Sequence, residues 1–457
     1  MNRSILMLSA LLLAQDASAD PSSKDRVYAA DQNSNTVSVV DPSTNRLLGY
    51  IKLGDPRPYV LSALYKGQVN VHGLGFSPNH RTIVVVSTIT NSVTFVDTAT
   101  NHVKGTAYIG RNPHEAFFTP DGNEVWATVR GEDYISVIDA STYLETARIP
   151  TTSGPGMVMF SVDGERAVVC NSFNPVVEVF DVKTRRLLKS IPVVSPFSPF
   201  IQVTPDGREA WLTHKDVGKV TRVDLKSLTV AGVIDTGPIT NHLAFAKTAE
   251  GLRAYVTVGG ENLVKVYSAD QASDLVTTIA VGALPHGIWG SDDGSRIFLA
   301  LENGDGVDVV ETATNTKIAH IPSGQAPQAL IYVSNAVPEG NGLQNLTPRK
   351  DAPENSTALL KSQDGRGGRG LIVSRNLGLI DTVDVSVYNL RPATDYEVLF
   401  DGKLPPVAAF TTDAKGNAVA SALGPTRKIT PASNQDTKTV VSVVVPGDTS
   451  RPVLLGE

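Results

Sequence analysis

A repeat of about 42 residues, running from residue 26 to residue 333, is the feature that most constrains the fold of this chain. Each copy contains a strand rich in β-branched residues that ends in a polar side chain. These strands end at Asp41, Asp97, Asp139, Asp181, Asp224, Ser268 and Glu311. From Asp97 onward, the ends lie 42, 42, 43, 44 and 43 residues apart. An Asp at a strand end can bond its own backbone and begin a turn, so the spacing indicates one structural unit repeated in phase.

A tight turn recurs inside the units, as in Thr119-Pro120-Asp121-Gly122 and Thr204-Pro205-Asp206-Gly207. Pro presets its own φ and Gly accepts a positive φ, so each turn joins two antiparallel strands. Each unit then holds about four short strands, without helical periodicity. Four strands cannot bury both faces of a sheet alone, but sheets stacked radially in a β-propeller can. A row of β-sandwiches is the alternative, but sandwich strands do not repeat at a constant spacing.

The two ends of the repeat region indicate the number of blades. Complete units begin near residues 69, 111, 153, 195, 238 and 283, and a lone strand from Ala329 to Val333 begins a seventh. Strands near Val27, Val37 and Leu47 at the start of the chain supply what this seventh unit lacks. We therefore predict an all-β fold with a seven-bladed propeller over residues 26–334, closed by strands from both ends. Closure removes the exposed sheet edges that promote aggregation.

Two stretches of the repeat carry a family resemblance. Tyr255-Val256-Thr257-Val258, and the stretch from Asn33 to Asp41 that reads NSNTVSVVD, resemble the repeat of the YVTN family of β-propellers. The resemblance covers residues 26–333 and implies the fold without implying a function. WD-repeat propellers are disfavoured because the sequence contains no Trp-Asp dipeptide.

The first 19 residues have the pattern of a secretory signal. Arg3 provides a positive start, Ile5 to Ala14 an apolar stretch, and Ala17-Ser18-Ala19 a cleavage site. We expect the mature protein to begin near Asp20 and to be periplasmic or secreted. No later apolar run reaches the roughly 20 residues that a membrane-spanning helix needs.

Composition changes after the repeats. Residues 335–357 are rich in Asn, Pro, Gly and charge, which is typical of a linker. Strand-like runs then follow in residues 358–457 and predict a small β-sandwich domain. This region contains no His and no Cys, which excludes a cupredoxin-like copper site there.

Charge and cysteine content exclude several functions. The formal net charge of −6 offers no basic surface to a nucleic-acid backbone, so nucleic acid is not an expected partner. The one cysteine, Cys170, excludes an internal disulfide and any metal site built from several thiolates. The remaining partners are a small-molecule substrate or another exported protein.

Histidines recur at one position of the repeat. Aligning the units by their turns places His72, His114, His242 and His286 at the start of the innermost strand, while Gly156, Pro199 and Gln328 occupy the position in other blades. Connections between blades gather around one mouth of the central channel. His214 ends the second strand of the fourth unit, and we expect it at the same mouth.

Imidazole is a common ligand for copper and zinc, so these five histidines predict a metal site, copper in the first place and zinc in the second. Glu115 would add an oxygen ligand or a catalytic base. His-lined propeller channels that hold copper occur in nitrous oxide reductase and thiocyanate dehydrogenase, an architectural analogy that favours an oxidoreductase.

Alternative interpretations remain. Pro113-His114 and Pro285-His286-Gly287 resemble the Pro-His-Gly element of YVTN repeats, in which a histidine can simply bond the backbone of the next blade. The protein would then be a binding or scaffold propeller for another exported protein. A lactonase- or lyase-like hydrolase is a further alternative. The stretch from Asp55 to Gln68 exceeds the repeat length and is expected as a lid or partner-binding loop on the histidine face.

Overall fold

The structure, a computed structural model, describes residues 21–54, 69–269, 273–349, 355–363, 365, 367–376, 381–424 and 440–456. Within them the chain forms 36 strands and one 3-10 helix, Gly259–Glu261. No helix in this part of the chain has the length and apolar character needed to cross a membrane. The expected signal sequence and the stretch from 55 to 68 lie outside the described residues.

Seven four-stranded antiparallel sheets make up the propeller, as predicted. The chain begins with three strands of the closing blade, β1 (Arg26–Asp31), β2 (Thr36–Asp41) and β3 (Arg46–Lys52). Six complete blades follow, each numbered from its innermost strand outward: β4 (Val71–Phe76), β5 (Thr82–Ser87), β6 (Ser92–Asp97) and β7 (Val103–Tyr108) in blade 1; β8 (Pro113–Phe118), β9 (Glu124–Val129), β10 (Tyr134–Asp139) and β11 (Glu145–Pro150) in blade 2; β12 (Pro155–Phe160), β13 (Arg166–Asn171), β14 (Val176–Asp181) and β15 (Leu187–Pro192) in blade 3; β16 (Ile201–Val203), β17 (Glu209–His214), β18 (Lys219–Asp224) and β19 (Thr229–Asp235) in blade 4; β20 (Thr240–Thr248), β21 (Gly251–Val258), β22 (Leu263–Ser268) and β23 (Leu275–Ala280) in blade 5; β24 (Pro285–Gly290), β25 (Arg296–Leu301), β26 (Gly306–Glu311) and β27 (Thr316–Pro322) in blade 6.

Blade 7 joins the two ends of the repeat region. Its innermost strand is β28 (Pro327–Val333), which pairs with β1, and the blade has the order β28-β1-β2-β3. Arg26 lies opposite Val333 and Tyr28 lies opposite Ile331 in this antiparallel pair. The predicted count of seven blades and the closure by strands from both ends are therefore confirmed.

Close packing between blades explains why consecutive residues of the inner strands are buried. Val125, Trp126 and Ala127 of β9 are all fully buried, because each blade packs against a neighbour on both of its faces. Inner strands also approach one another closely. A Cβ atom added to Gly73 of β4 would lie 2.3 Å from the carbonyl oxygen of His114 in β8, so only glycine fits at this position.

The turns predicted from the repeats are stabilised by short-range hydrogen bonds. Asp139 at the end of β10 accepts hydrogen bonds from the backbone N–H groups of Ser141 and Thr142. In the tight turn, the Thr119 hydroxyl donates to Asp121 at 2.6 Å, and Gly122 has a φ of +75°. The local sequence of each unit thus specifies where its strands reverse.

The C-terminal part forms one sheet where a two-sheet sandwich was expected. Its eight strands pair in the order β33-β32-β35-β36-β29-β30-β31-β34, and β33 and β34 at the two ends also lie against each other, so the sheet nearly closes into a barrel. Side chains from alternate positions, such as Val385, Tyr396 and Val398, fill the interior. The strands are β29 (Asn355–Ser362), β30 (Arg369–Asn376), β31 (Asp381–Tyr388), β32 (Asp395–Phe400), β33 (Lys403–Thr411), β34 (Ala418–Gly424), β35 (Val441–Val444) and β36 (Leu454–Gly456).

Residues 335–349, in the stretch expected as a linker, lie along the propeller. Thr98 donates its hydroxyl to the Ala336 carbonyl, and the Asn101 amide donates to the Gly342 carbonyl. Thr347 forms an isolated antiparallel bridge with Tyr50 of blade 7. These contacts hold the segment against blades 1 and 7.

Candidate functional site

Four histidines start the innermost strands of four blades and face the same end of the channel. They are His72 in β4, His114 in β8, His242 in β20 and His286 in β24. Between 3% and 9% of each residue is exposed, so all four are buried. Blades 1 and 2 are neighbours, as are blades 5 and 6, so the histidines form two pairs.

The first pair lies beside a carboxyl group. The ring centroids of His72 and His114 are 4.5 Å apart, with the ring planes tilted by 52°. A ring nitrogen of each histidine and a carboxylate oxygen of Glu115 all lie within 4.8 Å of one another. Glu115 is the residue after His114 in β8 and is 3% exposed. Two adjacent strands therefore bring two nitrogen donors and one oxygen donor together.

The second pair is formed by His242 and His286, whose ring centroids are 4.6 Å apart. Phe200, from blade 4, stacks on the His242 ring at 4.0 Å with an angle of 19° between the planes. The aromatic contact fixes the His242 ring from one side and the neighbouring histidine restricts it from the other.

One histidine of each pair is tethered to the next blade. His114 Nδ1 lies 2.7 Å from the Gly156 carbonyl oxygen, and His286 Nδ1 lies 3.0 Å from the Gln328 carbonyl oxygen. Since a carbonyl oxygen only accepts, each Nδ1 carries the proton. In the neutral ring, Nε2 then keeps its lone pair. Bonding to the backbone of the next blade, considered above as a purely structural role, therefore also orients a nitrogen that can bind a ligand.

The His72 ring is the member of the first pair that lacks such a tether. Its Nδ1 is buried and has no hydrogen-bond partner in the described part of the chain. A buried polar atom without a partner costs about 1–3 kcal/mol. A ligand bound at this nitrogen would recover that cost.

Burial keeps these imidazoles neutral. It lowers the pKa of His72 to about 3, with further lowering from the charges of Arg130 and Lys215. Burial also holds the pKa values of His114, His242 and His286 well below the usual value.

The two pairs lie close enough to interact electrostatically. A charge on His72 would lower the pKa of His242 and of His286, and a charge on His242 would lower that of His114. The four rings are therefore neutral at neutral pH, which is the form that binds metal ions.

Glu115 responds to burial in the opposite sense. Desolvation raises the pKa of its carboxyl group to about 8, although a hydrogen bond from the Leu74 backbone and the charge of Arg130 act to lower it. The carboxyl group is thus largely protonated at neutral pH in the ion-free protein.

His214, expected at the same mouth, has both ring nitrogens close to hydroxyl groups. It ends β17 as predicted, but its ring is buried within blade 4. Nδ1 lies 3.0 Å from the Ser198 hydroxyl and Nε2 lies 2.7 Å from the Thr221 hydroxyl. Both nitrogens are engaged in hydrogen bonds, so we take the other four histidines and Glu115 as the candidate site.

Two cations on this face were missed by the sequence analysis. Arg130 directly follows β9 and Lys215 directly follows β17. In each blade, the second strand runs antiparallel to the first and ends where the first begins, so both residues lie on the histidine face. Arg130 and Lys215 occupy equivalent positions of the repeat. The alignment that identified the histidines therefore also places these two cations on the same face.

The C-terminal sheet is anchored on the histidine face, at blades 5 and 6. Arg375 of β30 is fully buried and donates to Asp305, which lies in the turn between β25 and β26. It also pairs with Asp384 of its own sheet. Tyr388 donates its hydroxyl to the Asn262 side chain at 2.8 Å. The sheet therefore borders the mouth on the side of His242 and His286.

Comparison with known proteins agrees with this architecture. Residues 123–330 match the family described as YNCE-like beta-propeller. The chain is 25% identical to Protein NirF of Stutzerimonas stutzeri, over 35% of this chain and 44% of that protein. It is 30% identical to YncE of Salmonella typhi, over 25% of this chain and 31% of that protein. The chain thus spans less than half the length of these curated relatives.

A solved structure shows the likeness over a larger share of the chain. Hydrazine synthase of Kuenenia stuttgartiensis superposes with a TM-score of 0.53 and 17% identity, covering 69% of this chain and 95% of that one. At this identity the likeness concerns the fold alone. Together with the seven repeated sheets and the matched family, these findings identify the chain as a β-propeller repeat protein of the YVTN type, similar to the propellers of YncE and NirF.

Proposed function

We propose that this propeller binds a transition-metal ion at the end of its channel through His72, His114 and Glu115. The observation that carries the proposal is the convergence of two ring nitrogens and one carboxylate oxygen within 4.8 Å, in a buried setting. Metal–ligand bonds of about 2 Å place neighbouring ligand atoms about 3.3 Å apart. Small rotations of the three side chains would therefore bring their ligand atoms close enough to coordinate one ion.

The chemistry of the donors supports copper first and zinc second. Imidazole nitrogen and carboxylate oxygen suit Cu(II) and Zn(II), and the described residues place no thiolate beside them. Neutral imidazoles need not lose a proton before binding an ion. The backbone tether of His114 Nδ1 resembles the outer contacts that orient metal-binding histidines.

Three protein ligands would leave a coordination position for another molecule, as in catalytic metal sites. His242 and His286 belong to the same group of interacting imidazoles and would line the space that this molecule occupies. A bound copper ion would supply one-electron chemistry, so the proposed activity is oxidoreduction of a small molecule. The chain's own residues would bind and orient that molecule.

Metal loading of purified protein tests the proposal. After treatment with Cu(II) or Zn(II) and removal of excess ion, we expect about one ion per chain at this site. Replacing His72 or His114 with Ala should reduce the bound metal strongly. His102→Ala is the matched control, since His102 is exposed on an outer strand connection.

Spectroscopy separates this site from loose surface binding. The Cu(II) electron paramagnetic resonance spectrum should show nitrogen hyperfine structure that simplifies in His114→Ala and stays unchanged in His102→Ala. Reversible loss and return of the signal on reduction and reoxidation would support redox chemistry. Equal metal retention by the wild type and a His72→Ala/His114→Ala double variant would exclude the proposed site.

A further inference from the structure

A second ring of side chains lies on the histidine face, at the residue directly after the second strand of each blade. This position is polar in six of the seven blades, with Glu302 in blade 6. In three consecutive blades it holds Arg130 (blade 2), Ser172 (blade 3) and Lys215 (blade 4). Because the three follow equivalent strands of adjacent blades, they lie side by side along one arc of the mouth. A cation, a hydroxyl group and a second cation thus occur in succession.

Two of these side chains have buried donor atoms without partners. The Ser172 hydroxyl and the Arg130 Nε are both buried and make no hydrogen bond within the described ranges of the chain. Ser172 is only 4% exposed. Nε–H can only donate, and a hydroxyl group can donate as well. A ligand with oxygen acceptors would satisfy both atoms.

Blade 3 has no histidine at the column position and carries Gly156 there instead. A Cβ atom on Gly156 would lie 2.9 Å from the Ser198 carbonyl oxygen and 3.0 Å from the Ser172 Oγ, so these atoms already fill the place of a side chain. The Ser172 hydroxyl group therefore takes the column position of blade 3, between blades 2 and 4.

Two cations act on the histidine cluster, although the whole chain carries a net charge of −6. Among the described residues, Arg130 and Lys215 are in no ion pair closer than 4 Å, and both act on His72. Arg130 also acts on Glu115, and Lys215 acts on His242. A bound metal ion would add further positive charge. An anion is thus the ligand that this arrangement favours.

We propose that the histidine face binds a small anion with oxygen acceptors, a carboxylate or an inorganic oxyanion, between Arg130, Ser172 and Lys215. This inference names the class of molecule that would be bound next to the metal ion. The role of the anion as a molecule held beside that ion rests on the proposed function. Binding of the anion itself needs no metal, since the two cations and the hydroxyl group belong to the protein.

Isothermal titration of metal-free and copper-loaded protein with sulfate and with acetate, at constant ionic strength set by chloride, tests the inference. We expect saturable binding to both forms. Arg130→Gln and Lys215→Gln should each weaken it about tenfold or more, because each removes a charge-assisted hydrogen bond. Arg130→Lys should retain part of the affinity, and Ser172→Ala should weaken it less than either charge removal.

Arg111→Gln is the matched control, because the Arg111 side chain is 79% exposed on the same face and pairs with Glu132. Anion binding by a protein that retains no metal would uphold this inference and overturn the proposed function. Metal binding without saturable sulfate or acetate binding would overturn this inference alone. Affinities in Arg130→Gln and Lys215→Gln equal to that of Arg111→Gln would also overturn it, with thermal unfolding checking that each variant is folded.

Discussion

Raising the pH from 6 to 8 should strengthen metal binding at the His72–His114–Glu115 site about 50-fold, and Glu115→Gln should remove most of this gain. The reason is the protonation of Glu115, whose buried carboxyl group has a pKa raised to about 8. An ion that binds the carboxylate must displace this proton. The proton competes less effectively as the pH rises, so affinity increases with pH.

The expected magnitude follows from the ionised fraction of Glu115. With a pKa of about 8, the carboxyl group is ionised in about one molecule in 100 at pH 6 and in about half at pH 8. The histidines contribute little to this change. Burial lowers the pKa of His72 to about 3 and that of His114 well below its usual value, so both are already neutral at pH 6. Exposed histidines would instead titrate near pH 6.5.

Competition titrations against a chelator of known affinity, at pH 6, 7 and 8, measure the effect for the wild type and Glu115→Gln. Glu165→Gln is the control, because Glu165 is exposed in a strand turn on the opposite face. The same affinity at pH 6 and pH 8 would refute the reasoning. An equal pH dependence in Glu115→Gln and the wild type would also refute it, because another group would then release the proton.

Three further predictions concern stability and packing. Arg375→Ala should lower the free energy of unfolding by about 3 kcal/mol, since Asp305 loses its buried partner, and faster hydrogen exchange in the C-terminal sheet would reveal loosened docking. Gly73→Ala should destabilise the propeller by about 1–3 kcal/mol, measured by thermal unfolding, because its Cβ would lie 2.3 Å from the His114 carbonyl oxygen. Burial raises the pKa of Asp31 from 3.8 to about 8, so the folded state binds the extra proton. The contribution of Asp31 to stability is therefore complete below about pH 4 and is lost as the pH rises to about 8, by at most about 1.4 kcal/mol per pH unit. Asp31→Asn should flatten this dependence in denaturant titrations, and an unchanged slope would refute the assignment.

The residues of the candidate site could be predicted because equivalent positions of the repeat have equivalent places in every blade. Once turns and strand ends are aligned, equivalent residues occupy equivalent places, so His72, His114, His242 and His286 share one face without any three-dimensional calculation. The same alignment contained Arg130 and Lys215, but their role depends on charge and desolvation, which a repeat pattern does not display.

His214 shows where alignment stops being sufficient. Its place at the end of β17 was predicted correctly, but the hydrogen bonds of its ring could not be predicted from the repeat. The hydroxyl groups of Ser198 and Thr221 bind both of its nitrogens inside blade 4. The first of these lies 16 residues away in the chain, in the segment before the innermost strand. The hydrogen-bond partners that a side chain finds on other strands cannot be predicted from strand order alone.

By itself, the sequence determined the all-β class, the seven blades and the joining of both ends of the repeat region, because turn residues and β-branched runs act over a few neighbouring positions. Tertiary structure alone decided the 4.5 Å approach of His72 and His114, the protonation of Glu115 and the closure of the C-terminal strands into one sheet. These properties depend on which distant side chains exclude water and supply hydrogen bonds, and they arise only when separate blades pack together.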